Sequence, residues 1–67
     1  MYPIGSKVTI KSVDHLGRLQ RPKRLLGRTA VITGHEDGMN EVALIHFGKV
    51  SIGAVRWMFN DSDLSAE

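Results

Sequence analysis

Three histidines, His15, His35 and His46, are the residues of this chain with the most familiar acid–base and metal-ligand chemistry. No two of them stand at the short spacing that puts a pair of ligands on one helix turn or one hairpin. The chain has no cysteine to complete a tetrahedral set either. His15 follows Asp14 and His35 precedes Glu36 and Asp37, as polar loop residues do, while His46 alternates with Ile45 and Phe47 and should face outward from a strand. Ser6, Ser12 and Ser51 lie in no nucleophile elbow, and the seven glycines are scattered singly, so no phosphate-cradling loop is formed. The carboxylates gather at Glu36, Asp37 and Glu41 and again at Asp61, Asp63 and Glu67, where solvent keeps them ordinary. These residues imply neither a metal site, a cofactor, a small-molecule substrate nor an enzyme.

The remaining chemistry is that of charge. Between His15 and His35 there is no acidic residue, yet Arg18, Arg21, Lys23, Arg24 and Arg28 all fall in that window. Clustered cations neutralise phosphates and release counterions, and a loop lets several reach one backbone. Lys11, on the exposed face of the preceding segment, extends the patch. The expected binding set is therefore Lys11, Arg18, Arg21, Lys23, Arg24 and Arg28. Nucleic acid held through its phosphates with little base specificity is the leading partner. An acidic protein surface suits the same loop and stays open as the alternative, with Leu25-Leu26 as a possible protein contact; a solvated loop is the plainest reading. A phage or mobile-element product that modulates a host protein is a further possibility. Pro22 stiffens the middle of the stretch, and Leu19, Leu25 and Leu26 can anchor its ends.

The scaffold must be small. Sixty-seven residues give one domain, 1–67, with a modest core. Hydrophobic content of 42% and charged content of 24% are those of a folded chain and not of a disordered tail. No apolar run reaches the ~18 residues of a membrane span, and "MYPIGSKV" lacks the basic and apolar regions of a signal peptide. With no cysteine to staple a secreted mini-protein, a cytoplasmic location is expected.

Glycine and proline cut the chain into short strand-like pieces. "KVTIKSV" (7–13) alternates Val8 and Ile10 with Lys7, Thr9 and Lys11. "RTAVITG" (28–34) is rich in β-branched residues, "EVALIHF" (41–47) reads as a central strand, and "AVRWMF" (54–59) puts Val55, Trp57 and Phe59 on one face. Asp37-Gly38 signals a tight hairpin. Gly48 and Gly53 mark turns in "FGKVSIG", and "NDSDL" reads as one turn of tight helix capped by Asn60 or Asp61. The connection 14–27 reads as a long loop, because Gly17 and Pro22 interrupt any helix.

This order resembles that of an SH3-like barrel. "IGSKVTI" is similar to the opening of KOW-type small barrels. "LGRTAVITGHEDGMNEVALIHFGKV" followed by "WMFNDSDL" resembles the body of the photosystem I reaction centre subunit IV barrels, across about residues 4–64. The first loop is longer here, Ala30 stands where such barrels usually carry glycine, and Ser65, Ala66 and Glu67 leave little length for a closing strand. The resemblance implies architecture, an all-β barrel of about five short antiparallel strands with a long first loop and a one-turn 3-10 helix before the last strand. Barrels of this class are mostly binding or scaffold modules. The expected core is Val8, Ile10, Ala30, Ile32, Ala43, Ile45, Phe47, Val55, Trp57, Phe59 and Leu64. Trp57 goes to the core in preference to a stacking platform, with Arg56 and Met58 outward and Tyr2 the other possible exposed ring.

Overall fold

The computed structural model describes residues 1–14, 22–51 and 57–67. Among these residues six strands follow one another: β1 (Lys7–Ile10), β2 (Thr29–Glu36), β3 (Met39–His46), β4 (Lys49–Val50), β5 (Trp57–Phe59) and β6 (Leu64–Ala66). A 3-10 helix over Pro22–Leu25 precedes β2, and a second one over Asp61–Asp63 precedes β6. All pairings are antiparallel, in the order β4-β3-β2-β1-β6, and β5 adds to β3 on the Asn40–Val42 stretch. The chain is thus all-β, with a 3-10 turn before the last strand as expected. The additional strand is the two-residue β4. Ser65 and Ala66, short as the tail is, do form the closing strand, with Ile10 opposite Leu64 and Val8 opposite Ala66.

Sheet curvature is set early. The β2–β3 register slips between Ile32 and Gly34, a bulge that bends the pair. Asn60 starts the second 3-10 helix: its N–H donates to the Asp63 carboxylate at 3.1 Å, and its carbonyl accepts from the Asp63 N–H at 3.0 Å. The Asp63 carbonyl in turn accepts the N–H groups of Lys11 (2.8 Å) and Ser12 (3.2 Å), which ties the helix to the end of β1.

The core consists of Val8, Ile10, Val13, Leu25, Ala30, Ile32, Val42, Phe59 and Leu64, with Tyr2, Leu44 and Trp57 packed half-buried against it. Six of the expected core positions are buried (Val8, Ile10, Ala30, Ile32, Phe59, Leu64), and Trp57 lies against them. Val55 lies outside the described residues.

On β3 the expected phase is corrected. Ala43 and Ile45 are only half-buried, Phe47 is 91% exposed, and the buried positions are Asn40 and Val42. Tyr2 is corrected too. It is half-buried and its hydroxyl donates to the Leu64 carbonyl at 3.3 Å.

Candidate functional site

The first loop returns to the sheet through a fixed sequence of contacts. Leu25, the last residue of the first 3-10 helix, is fully buried. After it, Leu26 N–H donates to the Lys23 carbonyl (3.3 Å) and Arg28 N–H to the Leu25 carbonyl (3.0 Å). Gly27 takes φ +78°, the left-handed conformation that glycine adopts without steric cost. That turn aims its N–H at the Ile10 carbonyl (2.8 Å), while Ile10 N–H donates to the Arg28 carbonyl (3.0 Å).

The two N–H bonds between Ile10 and the 27–28 pair place Lys11 and Arg28 beside each other at one end of the sheet. Lys11, Lys23 and Arg24 are exposed and Arg28 is half-buried. The expected loop is therefore partly a 3-10 helix with one leucine inside and its two cations outside. Leu25 is an anchor, as expected, but Leu26 is not: it is 48% exposed beside the cations. Arg18 and Arg21, with Leu19, lie outside the described residues.

Opposite ends of the β2–β3 pair carry opposite charge. At the Asp37-Gly38 turn stand Glu36, Asp37 and Glu41. Toward the other end Ala30 pairs with Leu44, and Arg28 immediately precedes β2. His46 itself pairs with Lys49 across the β3–β4 hairpin. Sequence reasoning missed this hairpin tip as a surface feature. Phe47 and Gly48 are its two turn residues, with φ of 50° and 76°. The pattern of one residue plus glycine between two strand-like runs was the available signal. Strand alternation with an outward His46 sends Phe47 inward, and the left-handed turn at Phe47 breaks that alternation.

The three histidines are kept apart from one another where they can be described. His46 is exposed next to Phe47, their ring centroids 4.3 Å apart in an edge-on arrangement. His35 places Nε2 2.6 Å from the Tyr2 carbonyl oxygen, so that nitrogen is the donor. His15 lies outside the described residues. Among the described residues no group of three or more His, Cys, Asp or Glu is placed to hold a metal ion, and no helix is long and apolar enough to cross a membrane.

Asp61 titrates below its ordinary value. The Asn40 side-chain hydrogen bond, followed by the N-terminal ammonium 3.1 Å away, holds its carboxyl below the usual carboxylate range. This contact ties the N-terminus and β3 to the second 3-10 helix.

Comparison with protein-family models, curated proteins and solved structures returns no match to this chain.

Proposed function

We propose that this chain is an SH3-like, non-enzymatic binding module of the cytoplasm, whose basic first loop takes nucleic-acid phosphates with low sequence specificity. The observation that carries the reading is the burial of Leu25 beneath exposed Lys23 and Arg24. One leucine in the core fixes the turn that presents both cations, and the Gly27–Ile10 hydrogen bond ties that turn to the end of β1, the residue before Lys11. Less side-chain and loop entropy is then lost when a polyanion binds than if the cations rode on an unanchored segment. Cations set on a pinned turn suit contact with a backbone of regularly spaced charge.

Leu26 favours the second reading, docking on an acidic protein surface. An apolar side chain 48% exposed among cations is a common element of protein contacts and adds little to phosphate binding.

An amide-resolved NMR titration with short mixed-sequence DNA, at low and physiological salt, separates the two. Phosphate binding predicts shifts at Lys11 and residues 23–28 that fade as salt rises. Absence of shifts at low salt overturns the nucleic-acid reading and leaves the protein partner.

A further inference from the structure

Two turns of this molecule have nearly the same backbone and very different residues. The β2–β3 turn is Asp37-Gly38, with φ of 52° and 76°; the β3–β4 turn is Phe47-Gly48, with φ of 50° and 76°. Aspartate suits the first position, because its short polar side chain tolerates the left-handed region. Phenylalanine does not, and a bulky residue with positive φ is an outlier. The same ring is also 91% exposed, the most exposed large hydrophobic side chain among the described residues, with Val50 beside it at 47%. Neither hairpin closure nor core packing accounts for Phe47. The molecule closes an equivalent turn with aspartate, and among the described residues the ring meets His46 edge-on.

The surroundings select what would cover such a ring. From Val42 to Asn60 the sequence has no acidic residue. Lys49, exposed, faces His46 across the hairpin, and Arg28 immediately precedes β2, at the end of the strand where Ala30 pairs with Leu44. A partner for this tip therefore offers a flat apolar face together with negative charge. A nucleic-acid base with its phosphate has both, but only where the base is unpaired, since a duplex hides its base faces in the stack.

We infer that single-stranded nucleic acid is the ligand class of this module, with an unpaired base stacking on Phe47 at the β3–β4 hairpin tip while Lys49 and Arg28 take the flanking phosphates. The inference rests on the phosphate-binding reading above and adds to it a discrimination between single and double strands.

Fluorescence anisotropy with three labelled probes tests it: a mixed-sequence strand of roughly 16 nucleotides, its duplex, and an abasic strand with the same number of phosphates. The wild type should prefer the intact strand over the abasic one by about 10- to 100-fold, the range that base–aromatic stacking supplies. Phe47→Asn should erase that preference, leave duplex and abasic binding unchanged, and not lower Tm, because asparagine tolerates the left-handed turn. Phe47→Trp should keep the preference.

Equal binding of intact and abasic strands by the wild type, or a Phe47→Asn variant that still tells them apart, overturns the stacking inference. In that event continued dependence on Lys23 and Arg24 leaves the phosphate reading standing. If no probe binds at low salt, both readings fall, and Phe47 becomes the anchor to examine against a protein pocket.

Discussion

The side-chain amide of Asn40, fully buried, donates from Nδ2 to Asp61 Oδ1 at 2.7 Å. That bond is one of three. The same Nδ2 also donates to the Phe59 carbonyl (3.2 Å), and Oδ1 accepts the Tyr2 N–H (3.0 Å). One polar side chain thus joins β3, β5, the second 3-10 helix and the segment before β1. Burial of an amide is tolerated here because its donors and its acceptor are all matched.

Asn40→Ala should consequently be among the most damaging substitutions in the chain. It removes the amide's bonds to the Phe59 carbonyl, the Tyr2 N–H and the Asp61 carboxylate and opens a void. Each unsatisfied buried group costs about 1–3 kcal/mol. Against a total stability of roughly 3–10 kcal/mol for a domain of this size, a Tm lower by at least about 10 °C is expected in a thermal melt. A decrease of less than about 3 °C would mean that water replaces the amide's bonds.

The Asp61 contact also gives stability a pH dependence. Its folded-state carboxyl titrates below the ordinary value, chiefly through the Asn40 bond and next through the N-terminal ammonium. The native state therefore favours the ionised form. The resulting stabilisation is present above the ordinary aspartate range, near pH ~4, and is lost as pH falls through the lower folded value. The Asp61 side chain is 55% exposed, so solvent screens the ion-pair part of the effect. Melts of the wild type and Asp61→Asn from pH 6 to pH 2 should differ at the upper end and converge at the lower. Parallel curves would show that ionisation of Asp61 does not matter to folding.

Leu25 links the stability of the sheet to its charged face. Leu25→Ala removes a fully buried side chain at a cost of about 2–4 kcal/mol. It removes no charge, yet it should weaken nucleic-acid binding at temperatures where the protein stays folded, because Lys23 and Arg24 lose their anchored turn. Leu26→Ala is the control. Leu26 is exposed, so little change in Tm is expected, and a loss of binding to a protein partner from that substitution would favour the docking alternative.

Much of the architecture was legible because strands of this chain alternate plainly and their turns carry glycine. Val8 and Ile10 read inward and are inward, and Asp37-Gly38 reads as a hairpin and is one. The misread strand was β3, for a physical reason. Its inward face is Asn40 and Val42, with Leu44 half-buried, whereas its other face is Ala43 and Ile45, leading to Phe47. Counting apolar residues selects the second face. Burial of an asparagine is paid for by a hydrogen-bond network assembled from residues 2, 59 and 61, which no local window contains. The left-handed turn at Phe47 then carries the strongest hydrophobe of the run out into solvent. The charged patch was legible as a composition; its geometry depended on which leucine of the Leu25-Leu26 pair went inside, and adjacent identical residues carry no signal on that point.

That geometry makes the salt dependence of binding a quantitative test. Each phosphate neutralised on duplex DNA contributes about −0.9 to the slope of log K against log salt. Three to five contacts from the set Lys11, Arg18, Arg21, Lys23, Arg24 and Arg28 give a slope of roughly −3 to −4.5. Replacing Lys23 and Arg24 together by alanine removes two contacts, so the slope should flatten by about 1.8. The affinity should fall by the same factor for every sequence tried, since phosphates carry no base identity. Both side chains are exposed, so Tm should hardly move. A sequence-dependent loss would place one of the two cations on a base edge. An unchanged slope would remove this turn from the nucleic-acid interface and leave its charge to an acidic protein partner.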